Sequence, residues 1–582
     1  MKKKAVREEN REGFVFSDEA WRSAEDIRPE KSGGYTLGID CGTQSARAVI
    51  VRVKDGSMVS DFDMAYPHGI LSETLPCGLS LPRGFVLAMA EDYLEVIPVI
   101  VQGALKKAGI SGEDLVGIGV DATSCTVIPC TEDGTPMAML PEHGQNPHAY
   151  VKLWKHHDVK RQAREIEALA QRRGERFLAY YGGVVSCEWM LPKVLQIYED
   201  DREIFDRTAH YVDLCDWLTW RFTGKLTRSV NSAGFKGLWS AEEGDISREF
   251  LNELHDGFGE AYYAKVLKGP VLLSGARCGR LCQEAARWLG LPFGIVVSSG
   301  MMDGHASVVS MGMKRAGEMA LIVGTSNAIP ILADHLKDIE GFCGVVRDGI
   351  IPGFYGYTAG QIATGDMLDW YINNMVTARY TQEAGRLGVS LHKYLSEKAK
   401  ESFPERNPLT ILDWWNGNRS ILCNQQLTGT IWGLTLSTKP EEIYCAMLQG
   451  IACGTRIIMD QGRACGIDIK KVFACGGIPR KDPFFMQQYA NILNMPVYAA
   501  NETNSSAHGS AICAAAAAGR AEGGYASLAQ AMEHMHIRDL TEYRPQQEYA
   551  AAYEKIYERY CRLHWLLGSR NREFPDAAGK GG

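Results

Sequence analysis

Residues 35–53 read YTLGIDCGTQSARAVIVRV: an apolar run, a polar turn with a glycine, and a second apolar run. Two short apolar runs around a glycine turn predict a β-hairpin. A similar stretch, EMALIVGTSNAIPIL, occupies residues 318–332 and has Gly-Thr-Ser at its turn. One such unit in each half of the chain predicts an α/β protein with two related lobes and a ligand cleft between them.

Further elements follow from the apolar patterns. VGIGVDA (116–122) predicts a buried strand, while IVVSSGMMDGHA (295–306) and KVFACGGIPRKDPFFMQQYANIL (471–493) each predict a strand, a loop and a helix. AHGSAICAAAAAG (507–519) predicts a helix of small residues that can pack closely. Helical patterns also cover the ranges 88–108, 156–172 and 188–199.

These patterns divide the chain into four parts. Residues 1–33 are charged, lack strong periodicity and form an N-terminal extension without an assigned role. The first lobe covers residues 34–285 and the second 286–545, and residues 546–582 form a C-terminal helix and tail.

The composition narrows the class of protein. The 582 residues are 45% hydrophobic and 23% charged, which is typical of a globular protein. A net charge of −8 argues against a general nucleic-acid binder. We find no apolar segment behind the charged start MKKKAVREEN and no long uncharged apolar stretch, so we expect no membrane span. The 16 cysteines form no CxxC pair, which predicts reduced thiols in a cytoplasmic protein rather than a zinc site.

The turn of the first hairpin has the chemistry of an anion site. GxxxxGK[ST] and a GxGxxG after a strand are both absent from the sequence. Gly42 allows a tight turn whose N–H groups can point at a phosphate, and Thr43, Ser45 and Arg47 add donors. Asp40 at the strand end could hold Mg²⁺ directly or through water. A plain hairpin turn is the alternative.

Two later glycine segments have the same ambiguity. Gly324, Thr325 and Ser326 form the second turn, and a nucleotide between two lobes needs a clamp from each side. Gly476 and Gly477 lie between a strand and a helix, where the backbone can approach a flat ligand. Each segment could instead be a simple connection.

Asp303, in GMMDGHA, follows an apolar strand and precedes a helix. Phosphoryl transfer to an alcohol needs a base that accepts the hydroxyl proton, and a carboxylate beside the cleft fits that role. The alternative is that Asp303 caps the helix. The neighbouring His305 is interpreted as structural.

The sequence resembles the FGGY carbohydrate kinases, whose fold is that of actin and the Hsp70 ATPase, with ribonuclease H-like lobes. The resemblance runs from about residue 35 to 520 and rests on GIDCGTQSARAVIV, GMMDGHA, GTS and ACGGIP. It implies ATP and Mg²⁺ as cofactors and a sugar as phosphoryl acceptor. Longer strings resemble the ribulokinase subgroup and imply ribulose: GVDATSCTVIP, LPEHGQNPHAYVKLWKHH, SCEWMLPKVLQ, NSAGFKGLW, GIIPGFYGY, DWWNGNRS and TKPEEIY.

The resemblance also implies roles for individual residues. Asp303 would be the catalytic base and would share the metal side of the site with Asp40. The phosphates would lie along the two turns, at Gly42, Thr43, Ser45, Arg47, Gly324, Thr325 and Ser326. The nucleotide would face Gly476 and Gly477, and the sugar pocket would contain Ala122, Lys236, Thr358 and Asp303.

One position departs from the subgroup pattern. Where the resemblance implies a glutamate in the sugar pocket, the sequence has Thr358 within YTAGQI. Threonine is shorter and neutral, so it accepts hydrogen bonds from a sugar less strongly than a carboxylate. This departure predicts weaker binding of L-ribulose or a preference for another sugar. The alternative is that a neighbouring residue supplies the missing acceptor and the specificity is unchanged.

Several alternatives stay open at this point. The acceptor could be another ketose or a polyol, xylulose-like or ribitol-like. An actin-like or Hsp70-like ATPase without a sugar substrate would share the nucleotide clamp but would not need NPHAYVKLWKHH or Lys236. A sugar-binding regulator without activity would not need Asp303 and both phosphate loops. The residues leave the oligomeric state open, with a homodimer as one option.

Overall fold

The computed structural model describes residues 34–401 and 407–570. The extension predicted at 1–33 and the end of the predicted tail, 571–582, lie outside the described residues. The strands are β1 (Tyr35–Cys41), β2 (Ser45–Arg52), β3 (Met58–Ala65), β4 (Leu87–Ala88), β5 (Leu115–Ala122), β6 (Val127–Cys130), β7 (Val151–Lys152), β8 (His210–Asp213), β9 (Arg228–Ser229), β10 (Val271–Leu272), β11 (Arg277–Arg280), β12 (Val296–Ser298), β13 (Met301–Met302), β14 (Glu318–Val323), β15 (Asn327–Ala333), β16 (Gly344–Arg347), β17 (Tyr355–Gln361), β18 (Thr410–Leu412), β19 (Thr430–Trp432), β20 (Lys471–Cys475), β21 (Val497–Ala500) and β22 (Leu540–Tyr543).

The helices account for most of the remaining chain. They are α1 (Ala90–Ala108), α2 (Lys160–Arg173), α3 (Arg176–Tyr180), α4 (Met190–Asp200), α5 (Arg202–Arg207), α6 (Leu214–Thr223), α7 (Val230–Lys236), α8 (Arg248–Leu254), α9 (Phe258–Lys265), α10 (Gln283–Leu289), α11 (Asp303–Ser310), α12 (Gly365–Asn374), α13 (Ala378–Arg386), α14 (Leu391–Glu401), α15 (Pro440–Ala464), α16 (Gly477–Lys481), α17 (Pro483–Leu493), α18 (Ser505–Ala518), α19 (Leu528–Met535) and α20 (Ala550–Arg570). The predicted helices at 88–108, 156–172 and 188–199 correspond to α1, α2 and α4.

The first large sheet has the strand order β11-β12-β5-β1-β2-β3, with β13 also beside β5. β1 is antiparallel to β2, as expected for a hairpin, and parallel to β5. β12 and β13 join this sheet although they follow residue 285, where the first lobe was predicted to end. The four-part division of the chain stays a prediction.

The second large sheet repeats this arrangement. Its order is β16-β17-β15-β14-β20-β21-β22, with β14 antiparallel to β15 and parallel to β20. The pairs β14–β15 and β14–β20 therefore match β1–β2 and β1–β5. The predicted α/β architecture with one hairpin unit in each lobe is confirmed.

Helix α18, from the second half of the chain, packs against β1 and β5 of the first sheet and against α11. The contact is backbone to backbone: a Cβ at Gly119 in β5 would lie 1.9 Å from the Ser510 carbonyl oxygen. A Cβ at Gly509 would lie 1.8 Å from the carbonyl oxygen of Ala306 in α11. Glycine at these positions allows the close packing that the sequence predicted for this helix, and it fixes α11 between the two sheets.

Among residues 34–401 and 407–570, no helix is both long and apolar enough to traverse a lipid bilayer. All sixteen cysteines lie within these ranges and are free thiols.

Candidate active site

A cleft of about 700 Å³ receives residues from both halves of the chain. Eight predicted site residues line it: Thr43, Lys236, Asp303, Gly324, Thr325, Ser326, Thr358 and Gly476. Six other predicted site residues lie within the described part of the chain but do not line the cleft: Asp40, Gly42, Ser45, Arg47, Ala122 and Gly477. The predicted residues thus form a lining layer and a second group outside the wall.

The two hairpin turns are tight. The Gly42 amide donates to the Ser45 carbonyl at 3.0 Å, and the Gly324 amide donates to the Ser326 carbonyl at 2.9 Å. In the first turn, the Trp154 indole N–H donates to the Thr43 hydroxyl at 3.2 Å. Both turns have the compact form that an anion-binding loop needs, and their binding of phosphate stays a prediction.

Gly476 occupies a backbone position that demands glycine. Its φ is +108°, and a Cβ there would lie 2.5 Å from the carbonyl oxygen of Val323, the last residue of β14. The glycine therefore lets the loop after β20 lie directly against the second hairpin, on the cleft wall. Gly477 begins α16.

Asp303 is the first residue of α11 and is partly exposed to the cleft. The N-cap of this helix is Met302, so Asp303 is not the capping residue considered as the alternative. Its Oδ1 accepts the amide N–H of Gly304 at 2.7 Å. Desolvation, followed by the negative charge of Asp40, raises the pKa of Asp303 to about 7. Near neutral pH this carboxyl can both accept and release a proton.

Asp40 lies beside a second buried carboxyl, because β1 and β5 are parallel with Asp40 opposite Asp121. Arg47 Nε is 3.4 Å from Asp40, and Ser510 donates to Asp121 at 2.6 Å. Burial and then the charge of Asp40 raise the pKa of Asp121 well above its usual range.

The same pair offers ligands for a cation. One oxygen of Asp40 and one of Asp121 are buried and accept no hydrogen bond from a third described residue, while the two carboxyls interact with each other. Mg²⁺ is commonly held by one or two carboxylates together with phosphate oxygens and water. The donor set beside the first turn therefore fits a divalent cation.

The predicted sugar-pocket residues come from four elements. Lys236 ends α7, and Thr358 lies in β17; both line the cleft. Ala122 ends β5, is 1% exposed and pairs with Met302, directly before Asp303. Ala122 therefore lies beneath the base rather than on the cleft wall.

His305 has a structural environment. Its Nδ1 lies 2.9 Å from Oδ1 of Asn231, and its ring packs edge-on against Phe235. Desolvation, followed by the positive charge of Lys236, lowers the pKa of His305 to about 3, so the ring is neutral. This agrees with its interpretation as structural.

The sequence interpretation missed Asp121, Glu188 and Arg419. Glu188 and Arg419 line the cleft and form an ion pair at 2.6 Å, although 231 residues separate them. Asp121 could have been found from the sequence, since in VGIGVDA an aspartate follows an apolar run, as it does in TLGID. The quoted strings SCEWMLPKVLQ and DWWNGNRS contain the other two residues but give no sign that they meet.

Comparison with known proteins identifies related sequences over most of the chain. Residues 35–310 match the model of the N-terminal domain of the FGGY family of carbohydrate kinases, and residues 319–518 match that of its C-terminal domain. A ribulokinase from Halalkalibacterium halodurans is 40% identical over 92% of this chain and 95% of that protein. A ribulokinase from Anoxybacillus flavithermus is 41% identical over 92% of this chain and 94% of that protein.

Solved structures share the fold at lower identity. The xylulose kinase from Rhodospirillum rubrum has a TM-score of 0.74 at 21% identity and covers 92% of this chain and 99% of its own. A ligand-bound xylulose kinase from Lactobacillus acidophilus also has a TM-score of 0.74, at 18% identity, over 93% and 100% of the two chains. The predicted two-lobe, actin-like fold is confirmed.

Proposed function

Because this chain belongs to the FGGY family of carbohydrate kinases, we propose that it transfers the γ-phosphoryl group of ATP to a hydroxyl of ribulose. As a member of this family it is an ATP-dependent sugar kinase. The proposal of ribulose, giving ribulose 5-phosphate, is supported by relatives named ribulokinase that are about 40% identical over 92% of the chain.

The observation that carries the proposal is the position of Asp303. This carboxyl faces the cleft with a pKa near 7, on a helix held between the two sheets. It acts as the base that accepts the proton of the attacking hydroxyl, and a base with a pKa near the working pH is efficient in this role. Lys236, in the same wall, orients the sugar.

The rest of the cleft binds the nucleotide. The turns at Thr43 and Gly324–Ser326 cradle the phosphates with backbone N–H groups, and the glycines at 476 and 477 face the adenosine. Asp40 and Asp121 would hold Mg²⁺, which neutralises charge on the phosphates when bound. Rigid donors on both sides of the phosphates keep the reacting groups in line.

The proposal is tested by measuring ADP release from ATP and Mg²⁺ with a panel of ketoses and pentitols. We expect turnover that depends on the sugar and is fastest with ribulose. A preference for xylulose or ribitol would retain the kinase and reject the ribulose assignment. Turnover without sugar would instead favour the ATPase considered above, against which family membership already argues.

A further inference from the structure

Three carboxylates line the cleft within the described part of the chain: Glu167, Glu188 and Asp303. Asp303 is the proposed base. Glu167, on α2, accepts the backbone N–H of Val185 at 2.9 Å, so it anchors the loop that precedes α4. Glu188 is the carboxylate whose function in the cleft is still unexplained.

Glu188 is held rigidly but incompletely paired. It is 7% exposed, and its Oε1 accepts from the Arg419 guanidinium at 2.6 Å. No described residue donates a hydrogen bond to its other oxygen, Oε2. Burial raises the pKa of Glu188, but the positive charges of Arg419 and then Lys236 outweigh it and keep this pKa below its usual value. An ionised carboxylate with a free oxygen in a cleft is a strong hydrogen-bond acceptor.

Arg419 connects this carboxylate to the strand of Thr358. Gly360 lies two residues after Thr358 in β17, so both occupy the same face of that strand. A Cβ built at Gly360 would lie 3.8 Å from the Arg419 side chain, and the Gly360 amide donates to the Ser420 hydroxyl at 3.2 Å. The loop that holds Glu188 in place therefore packs on the face of β17 that carries Thr358.

Lys236 gives a second connection. Its positive charge acts on the carboxyls of both Glu188 and Asp303, so it lies within electrostatic reach of each. The wall of the cleft thus joins the base, the lysine and Glu188 in one region.

We propose that Glu188, positioned by Arg419, accepts a hydrogen bond from a hydroxyl of the bound ketose and supplies the acceptor that Thr358 does not provide. The inference rests on the proposed function. Of the two alternatives at Thr358, it favours the one in which a neighbouring residue supplies the acceptor, because the carboxylate of Glu188 lets the pocket keep ribulose in spite of the threonine.

The test measures the KM for ribulose, the KM for ATP and kcat in Glu188→Gln. The amide keeps the shape and can still accept from Arg419, but its second group is a donor instead of an acceptor. We expect the ribulose KM to rise at least tenfold while the ATP KM changes less than twofold. Introducing Thr358→Glu into the Glu188→Gln background should recover most of the loss, whereas Thr358→Glu alone should improve the KM little. Glu203→Gln makes the same change at a side chain that is 73% exposed and lies outside the cleft wall; it is the control and should leave the ribulose KM unchanged.

If the ribulose KM of Glu188→Gln lies within twofold of the KM of the original protein, Glu188 is not a ligand of the sugar. Parallel increases in both KM values, with no recovery by Thr358→Glu, would also overturn the assignment, because they indicate a structural role. If Glu188→Gln does not fold, the same constants are measured for Glu188→Asp, which keeps the charge for Arg419 but withdraws the free oxygen. The unmodified protein distinguishes failure of the proposed function from failure of the role of Glu188. If it does not release ADP in a sugar-dependent manner, the proposed function fails. If it does, the variants test only the role of Glu188.

Discussion

Gly38 in β1 lies directly against Ala507 in α18: a Cβ at residue 38 would be 1.9 Å from the Ala507 carbonyl oxygen. No side-chain rotation relieves a clash with backbone, so the helix would have to move away from the sheet. We expect Gly38→Ala to lower the free energy of unfolding by about 1–3 kcal/mol or more, the usual cost of overpacking.

Thermal unfolding midpoints test this prediction. Gly385→Ala is the control, since Gly385 lies in helix α13 and a Cβ there has nothing within 4 Å. That substitution should raise stability by about 0.5–1 kcal/mol because alanine favours the helix. Equal midpoints for the two variants would mean that α18 does not pack against β1 this closely.

Asp303→Asn tests the catalytic base. The amide cannot take the hydroxyl proton, so we expect kcat to fall by about 10²–10⁴-fold, the usual contribution of general base catalysis. Binding of ATP should persist, because the nucleotide-binding turns are not altered; isothermal titration measures it. Near-normal kcat in this variant would remove Asp303 from the mechanism.

The buried carboxyl of Asp413 predicts how stability depends on pH. Asp413 Oδ1 accepts from the Tyr560 hydroxyl at 2.6 Å, and its Oδ2 accepts from Gln361 at 2.7 Å. Burial raises the pKa of Asp413 from 3.8 to about 6. A raised pKa means that the folded state favours the protonated form. The associated stability is therefore complete below about pH 4 and is lost as the pH rises through 6.

This loss amounts to about 3 kcal/mol, at 1.36 kcal/mol per pKa unit. Asp413→Asn does not titrate, so its stability relative to the original protein should improve by about that amount between pH 4 and pH 7.5. Thermal midpoints at the two pH values give the comparison. Asp468→Asn, at a side chain that is 77% exposed, is the control. A relative stability of Asp413→Asn that does not change with pH would contradict the prediction.

The features that could best be predicted from the sequence are those that depend on residues close together along the chain. A hairpin needs only two apolar runs and a turn, so β1–β2 and β14–β15 could be placed from the sequence within a residue or two. The position of Asp303 between a strand and a helix followed for the same reason. The tight turn at Gly42 likewise rests on one short segment.

Contacts between distant segments could not be predicted in this way. The approach of Asp40 and Asp121 depends on the register between β1 and β5, which neither strand specifies alone. The pair of Glu188 and Arg419 joins two loops whose meeting is decided by the packing of whole lobes. Ala122 was predicted to line the pocket, but the pairing of β5 with β13 places it outside the cleft wall.

The cleft itself predicts a change of shape. Residues from both lobes form its wall, including Lys236 from the first half and Gly324 from the second, so water enters unless the lobes approach each other. Water near an activated γ-phosphate would compete with the sugar, and closing the cleft around both substrates would limit this loss. We expect the radius of gyration from small-angle scattering to decrease when ribulose and ATP bind together, and to change less with either alone. Asp303→Asn allows both true substrates to be present during the measurement, because it should bind them while turning them over about 10²–10⁴-fold more slowly. Calorimetry on the same samples establishes occupancy. With both ligands bound, a radius equal to that of the free protein would show that the lobes are already closed or do not move.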